Sequence, residues 1–428
     1  MEPAAPGPGT NRNLAHVLAL AGQQVLAESL PASPPAALVM NTHITGRAVT
    51  RSLGRAGVAV LGLDDERGGL GQHARHLAGL GLVPGPDVDD GLALAQHLEQ
   101  LGPSFAERPV LMPTNDDWVL ALARHRDRLE EHYRYPFAAH EVVQRALSKT
   151  ALYRACEALG VAVPQSWYLD DASPEDVARQ VDYPCVLKPD DSRGFYRAFR
   201  AKVFVVEDAA QFTARCAEAA AHGLRLVAQR WVATEPGGFW SVASYLSADG
   251  TPRGVFTGRK LEQWPPDFGT CCLADSQWRP EIAAAGVRVL QELGYHGISE
   301  IEFVEDAATG RLLLLDVNTR AWKWVGLPVA AGVDLPLLAY RDAVGQAYDS
   351  GPQRDGVRWT FLRDYLPLVR AGAASVPEAA VSKAEWTALL AGSPSDLVDA
   401  VHDPDDPEPA YDVLWSELTG GLGYRCAC

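Results

Sequence analysis

Short apolar runs alternate with helical stretches along the first third of the chain. Leu14 to Leu26 is apolar but interrupted by His16, Gln23 and Gln24, a pattern that predicts an amphipathic helix packed on the body of the protein. Leu38 to Met40 reads as a short buried strand. Thr45-Gly46-Arg47 opens a helix through about Ala56, Gly57 stops it, and Val58 to Asp64 is the next strand. This β-α-β order predicts a parallel sheet. A further strand, Pro109 to Met112, ends at Pro113-Thr114-Asn115-Asp116. Polar side chains at such a strand end are where open α/β sheets bind ligands, and they equally suit an N-cap for a helix starting at Trp118.

A second unit begins near Ser148, the expected cap of a helix that Gly160 ends. Ser173-Pro174-Glu175-Asp176 opens another helix through cap, proline and acidic first turn. Tyr183 to Pro189 is a buried strand that contains Lys188 near its end. A helix over about Asp208 to Ala221 and a strand from Leu224 to Val232 follow. The third stretch is mostly hairpins. SVASYL and RGVFTGRKLEQW flank the turn Asp249-Gly250. A helix spans about Pro280 to Leu293, and GISEIEFVED and RLLLLDVNTR are joined around Thr309-Gly310. After about Gly345 the chain contains DPDDPEP and little regular apolar pattern.

The chain's 428 residues allow about two to four domains of roughly 100–200 residues. With 47% hydrophobic and 21% charged residues, disorder is excluded as the dominant state. Lys and Arg total 38 against 54 Asp and Glu, a net charge of −16, and the pI is about 5.1. Such a chain is a poor candidate for tracking nucleic acid or anionic membrane. No apolar run reaches the ~18 residues of a membrane helix. The leading segment carries only Arg12 as a basic residue, which argues against a signal peptide. Seven cysteines are odd in number and sparse, so a disulfide framework is not expected and a cytoplasmic location fits. Cys271, Cys272, Cys426 and Cys428 lack partners at zinc spacing and read as small buried side chains and a frayed tail.

The hairpin near the end of the third stretch carries the sharpest chemistry. Alternate residues of a strand share a face. Glu300, Glu302 and Val304 therefore point one way and Ile301 and Phe303 the other, while Asp316 and Asn318 face away from Leu315 and Val317. Glu302, Asp316 and Asn318 can meet on one face next to Arg320. Three hard oxygen ligands open to a substrate suit magnesium, and Arg320 would balance a phosphoryl group or a developing oxyanion. The plain alternative is the polar outer face of an antiparallel pair, although like charges there are mildly destabilising without a cation. Lys149 sits in a helix's first turn, where the dipole disfavours a cation. A bound anion would resolve that conflict. Taken singly, Lys149 and Lys188 are commonly solvated lysines. Together with the acidic hairpin and Gln229-Arg230-Trp231-Val232, they describe a nucleotide cleft between two small sheets.

Over about Ala36 to Gln346 these motifs, in this order, resemble the ATP-grasp superfamily of carboxylate–amine or carboxylate–thiol ligases. MPTNDDWVLALARHRDRL loosely resembles the group containing D-aspartate ligase and carbamoyl-phosphate-synthase-like proteins. The resemblance implies an α/β fold with an amino-terminal parallel-sheet domain, two α+β lobes clamping ATP and a C-terminal accessory segment. The implied boundaries are an N-terminal extension 1–35, a preceding α/β domain 36–145, lobes 146–235 and 236–345, and the accessory segment 346–428. It implies Lys149 and Lys188 as ATP-binding lysines, Gln229, Arg230 and Val232 beside adenine, and Glu235 on the ribose. It also implies Glu302, Asp316 and Asn318 as magnesium ligands. Two Mg2+ ions are expected, with Mn2+ as the alternative metal. The partners it implies are a small-molecule carboxylate and an amine, with a homodimer by analogy.

The implied reaction is attack of a carboxylate on the γ-phosphorus of ATP, then attack of an amine on the acyl phosphate to give an amide. Arg320 would stabilise the tetrahedral oxyanion, and Glu300 is the candidate to take the amine's proton. Arg259 and Lys260 are candidates for the substrate carboxylate, and equally for charge protection of an edge strand. Phe268 to Cys272 is a candidate pocket wall. Some features depart from the family pattern. Asp316 replaces the more frequent glutamate, RAWKW after Thr319 is unusual, and DDSRGFYRAF has only Gly194 where a glycine-rich loop would cover phosphates. Ser192, Arg193 and Arg197 would supply part of that cover, and Gly194 and Gly237-Gly238 are the expected moving parts. Two alternatives are a small-molecule kinase that stops after phosphorylation and a nucleotide-binding module without catalysis.

Overall fold

The computed structural model describes residues 17–266, 268–346, 350–376, 379–393 and 395–419. Leu14 to His16, Cys426 and Cys428 lie outside them. The first sheet contains β1 (Val17–Leu18), β2 (Ala37–Met40), β3 (Val60–Asp64), β4 (Leu77–Leu82) and β5 (Val110–Pro113). The order is β1-β4-β3-β2-β5, all parallel. Every residue of β2, β3 and β5 is buried, which is why they read as continuous apolar runs.

The sequence pattern misses β1 and β4. The first helix runs Leu20–Ser29 rather than from Leu14, because Val17 and Leu18 pair with Leu80 and Gly81. In β4, Gly79 and Gly81 are poor strand formers. Packing requires them, since a Cβ at either would collide with Leu26 or Gln23 of that helix.

The second sheet holds β6 (Ser166–Tyr168), β7 (Cys185–Pro189), β8 (Phe204–Val206) and β9 (Leu226–Arg230), antiparallel in the order β6-β9-β7-β8. The helix Lys149–Leu159 leads into it. Ser148 caps that helix by accepting from the Ala151 amide, and Gly160 ends it at φ 66°. Phe195, Phe204, Phe212, Val206 and Leu187 form a core of this unit's own. In the DDSRGFYRAF segment the structure replaces the expected loop with a helix, Ser192–Phe199. Asp191 caps it, accepting from the Arg193 and Gly194 amides.

The third sheet contains β10 (Phe239–Leu246), β11 (Pro252–Trp264), β12 (Thr270–Ser276), β13 (Gly297–Glu305), β14 (Leu312–Asn318), β15 (Arg358–Thr360) and β16 (Leu397–Asp399). The order is β14-β13-β10-β11-β12-β15-β16, antiparallel except for β15 with β16. The β10–β11 turn is held by Asp249 Oδ1, which accepts from Ser247 Oγ and the Thr251 amide, while Gly250 takes φ 78°.

The region after Gly345 is more regular than its pattern suggests. It adds β15 and β16 and the helices Leu362–Ala371, Lys383–Leu390 and Glu408–Thr419. DPDDPEP docks on the helix Ile44–Arg55. Asp403 receives Arg51 and Arg55 at 2.9 and 2.8 Å, and Asp406 receives Arg47 at 3.1 Å. Arg47 and Asp406 are almost fully buried. Among the described residues, no helix is long and apolar enough to cross a membrane.

Removing one partner of a buried pair leaves the other charge uncompensated, at a cost of about 3–5 kcal/mol. Asp406→Ala is therefore expected to lower stability by about that amount in chemical denaturation. A loss below about 1 kcal/mol would show that the pair contributes little.

Candidate active site

A cleft of about 2080 Å³ opens between the second and third sheets, beside the carboxyl end of β5. Small-molecule pockets are usually about 300–1,000 Å³, so the space suits a nucleotide with further substrates. β13 and β14 form part of its lining. In their register Glu302 lies opposite Asp316 and Glu300 opposite Asn318. A bulge follows, with Phe303 opposite Leu314, so Leu315 has no partner across the pair. Glu300, Glu302, Asp316 and Asn318 all line the cleft, as does Arg320.

Hydrogen bonds connect this set. Asn318 Nδ2 donates to Glu300 Oε2 at 2.9 Å, and Ser241 Oγ donates to Glu300 Oε1 at 2.8 Å. Arg320 Nη2 donates to Asn318 Oδ1 and to Asp116 Oδ2, each at 3.2 Å. Burial, reinforced by the charge of Glu302, pushes the Glu300 carboxyl up to about 8 against opposition from Ser241 and Arg320. Among the described residues, no cluster of three His, Cys, Asp or Glu side chains could hold a metal. Two carboxylates and the Asn318 amide oxygen remain a hard oxygen set of the kind Mg2+ takes when substrate oxygens and water complete its shell. The crowding of Glu300 against Glu302 is what a cation there would relieve.

The lysines come from several elements. Lys149 is 6% exposed and its Nζ bonds Asp316 Oδ1. Burial disfavours its charge, but Asp316 more than offsets that and holds its pKa above the ordinary value. One turn on, Tyr153 donates its hydroxyl to the Leu315 carbonyl at 2.8 Å and accepts from Lys188 Nζ at 3.1 Å. Burial lowers the Lys188 pKa, with Asp316 and Glu302 opposing. Lys202 and Lys260 also line the cleft. Burial lowers the Lys202 pKa; Lys260 and Lys323 add to the shift while Glu302 and Asp316 oppose it. Lys260 Nζ lies 3.9 Å from Glu302 and 4.6 Å from the Phe239 ring centre. Lys323 is 4% exposed and donates to Thr270 Oγ1 at 2.8 Å and Asp364 Oδ2 at 2.6 Å.

The remaining expected residues divide. Gln229, Arg230 and Val232 line the cleft; Gln229 Nε2 donates to Ser166 Oγ at 3.1 Å and Arg230 to Asp306 at 2.7 Å. Ser192, Arg193, Arg197 and Phe268 to Cys271 also line it. Glu235 is exposed and outside the lining, beyond Trp231 to Thr234. Arg259 lies outside the cleft lining, its Nη2 2.9 Å from Asp275 and its guanidinium 5.8 Å from the Trp240 ring. Neighbours on a strand face opposite ways, so Lys260 enters the cleft and Arg259 does not. Cys271 and Cys272 are buried, and burial pushes the Cys271 thiol up to about 12.

Sequence reasoning missed Tyr153, Lys202, Lys323 and Asp364. The unusual RAWKW run was the available signal for Lys323. Trp322, Lys323 and Trp324 all line the cleft.

A D-aspartate ligase of Enterococcus faecium (strain Aus0004) is 18% identical over 251 residues. The match spans 56% of this chain and 59% of that protein. The biotin carboxylase domain of Hydrogenobacter thermophilus 2-oxoglutarate carboxylase, solved with MgADP, ADP and bicarbonate, superposes with a TM-score of 0.57 at 17% identity. That superposition covers 75% of this chain and 72% of the other. An L-amino acid ligase of Bacillus licheniformis gives 0.54 at 16% identity, over 72% of this chain and 74% of its own. The chain has the ATP-grasp fold. No family model matches it.

Within this ATP-grasp fold, Tyr153 ties the helix Lys149–Leu159 to β14. Tyr153→Phe leaves the Leu315 carbonyl without its side-chain donor. The expected loss is about 1–3 kcal/mol in chemical denaturation, and an unchanged midpoint would show that the bond does not matter.

Proposed function

We propose that the protein is an ATP-dependent ligase that joins a carboxylate, in the simplest case that of an amino acid, to an amine. The observation that carries this reading is the convergence of Lys149 and Lys188 on the Glu302–Asp316–Asn318 face, with Arg320 alongside. The names of the D-aspartate ligase and the L-amino acid ligase support it.

In this reading Lys188 and Lys149 bind phosphate oxygens of ATP, and Lys149 turns to them from Asp316. The Gln229–Val232 strand end takes adenine, with Glu235 beside the ribose. Glu302, Asp316 and Asn318 would hold magnesium, which supplies charge compensation for phosphoryl transfer when bound. Lys260, rather than Arg259, orients the substrate carboxylate. Its oxygen attacks the γ-phosphorus and ADP leaves. The neutral amine nitrogen then attacks the acyl carbon, the C–O bond to phosphate breaks, and the nitrogen's proton leaves with the phosphate. Arg320 offers charge to the oxyanion. The helix Ser192–Phe199, latched by Arg193 on Asp117, keeps water from the acyl phosphate. A homodimer in a reducing cytoplasm completes the proposal. The described cysteines are free and buried, and the biotin carboxylase domain is itself described as a dimer.

The test is an ADP-release screen over acid and amine pairs, with mass detection of the product. The amide, and ADP beyond a single turnover, are expected only when acid, amine and Mg2+ are all present. A stable phosphorylated acid formed without amine would instead identify a kinase. Lys188→Ala and Asn318→Ala should each lower kcat by about 10²–10³-fold, the usual cost of losing one charge-stabilising group, while circular dichroism stays native. Normal turnover in both variants would overturn the site.

A further inference from the structure

Asn115, at the end of β5, caps the helix Asp116–Arg124 by accepting from the Asp117 amide at 2.9 Å. Asp116 is therefore held at the helix's first position, where it lines the cleft. Arg320, from the segment after β14, meets it there. Its Nη2 donates to Asp116 Oδ2 and to Asn318 Oδ1, each at 3.2 Å, and its Nη1 donates to the Ala321 carbonyl at 3.1 Å. The Arg320 and Asp116 side chains are 11% and 25% exposed, so their electrostatic contact is only partly weakened by solvent.

One atom of each partner is left over. Asp116 Oδ1 is a buried acceptor without a donor, and Arg320 Nε is a buried donor without an acceptor. Nε and Nη2 share one edge of the guanidinium, and such an edge matches the two oxygens of a carboxylate. Pairing Nε with Oδ1 beside Nη2 with Oδ2 would satisfy both leftover atoms at once. In the structure the pair makes one bond, and Nη2 is shared with Asn318. The Asn318 amide is oriented from its other side, where Nδ2 donates to Glu300 Oε2 at 2.9 Å. Its Oδ1 is thus the atom that Arg320 holds and that a metal ion on the same face would need.

We infer that Asp116 is a positioning residue for Arg320, receiving the arginine in a two-bond pair when a metal ion takes Asn318 Oδ1. The inference rests on the placement of magnesium at Glu302, Asp316 and Asn318 in the ligase reading above. A divalent cation on Asn318 Oδ1 repels a guanidinium beside it. With Asp116 as receiver, Arg320 gives up the amide oxygen without a net loss of hydrogen bonds, because Nε gains Oδ1. The guanidinium stays at the edge of the metal face, where charge on an oxyanion would develop. Without that carboxylate, Arg320 remains a competitor for Asn318. Asp117 is not equivalent, since it pairs with Arg193 of the covering helix.

The experiment reads metal binding, not turnover. The full chain with ADP is titrated with Mn2+, and free Mn2+ is followed by electron paramagnetic resonance. Asn318→Ala should weaken Mn2+ binding to the wild-type chain by about tenfold or more. Asp116→Asn, which keeps the size of the side chain, and Asp116→Ala should each weaken it by about tenfold, as expected for a group that orients a metal site from outside it. In an Arg320→Ala background the same substitutions should change the affinity by less than about twofold, because no arginine is left to compete. Asp117→Asn should likewise have an effect below about twofold. An equal loss with and without Arg320 would give Asp116 a merely structural role and overturn the inference. So would an equal loss in Asp117→Asn, or unchanged Mn2+ binding in both Asp116 variants. A wild-type chain that binds no Mn2+, or an Asn318→Ala chain that binds it normally, overturns the metal placement itself, and the role of Asp116 with it.

Discussion

An ammonium as deeply buried as that of Lys149 keeps its charge only where a carboxylate meets it, and Asp316 does so. Burial alone would discharge the lysine. The pair therefore fixes the first turn of the helix Lys149–Leu159 against β14. Tyr153 repeats the connection one turn later through the Leu315 carbonyl. Lys188 has no such partner: a hydroxyl and more distant carboxylates leave its pKa lowered. Side by side, one lysine is locked and the other is held for want of an anion. A triphosphate is the group that would restore the second, and magnesium would compete for the carboxylate that locks the first.

The same constraint divides the molecule mechanically. The helix that carries Lys149 and Tyr153 packs into the core that includes Phe303, Leu314 and Val317 of the third sheet. The second sheet, with Lys188 and the covering helix, has its own aromatic core around Phe195, Phe204 and Phe212. The separation is incomplete, because Val227 of β9 packs into the first core; Lys149 and the Glu302, Asp316 and Asn318 face belong to one core's side of the cleft, and Lys188, Arg193 and Lys202 to the unit built around the other. Arg193 on Asp117 is the contact by which that part reaches the first sheet's side of the cleft.

The face of Glu302, Asp316 and Asn318 was legible because strand alternation is a local rule, and the β13–β14 bulge falls after Glu302 and leaves their pairing intact. The same rule sets Arg259 and Lys260 on opposite faces of β11, and only Lys260 lines the cleft. Other features were hidden for physical reasons. β4 carries glycines whose use is close packing against the first helix, a requirement no strand propensity records. β15 and β16 have three residues each, too few to show a period. DPDDPEP looks like a solvated acidic loop until Arg47, Arg51 and Arg55, far away in sequence, bury its carboxylates. Of the two readings of the polar cluster after β5, the cap is made by Asn115, and Asn115 and Asp116 both line the cleft.

The chain is strongly acidic while the cleft wall balances cations against carboxylates, and distance decides which of the two a ligand feels. A chain with a net charge of −16 repels a nucleotide at long range. Physiological salt screens that repulsion beyond about 8 Å, whereas Lys149, Lys188, Lys202, Lys260 and Arg320 act from the walls of one cleft. Inside, desolvation strengthens each attraction and makes each unpaired charge costly. Carboxylates there are consequently interleaved with cations: Asp316 with Lys149, Glu302 near Lys260, Asp364 with Lys323, Asp116 with Arg320 and Asp117 with Arg193. That interleaving leaves most charges of the cleft wall with an opposite charge nearby. An anion that engages Lys149 must displace Asp316, whereas Lys188 has no carboxylate to give up, so affinity at the first depends on the exchange of partners and not on the sum of positive charge.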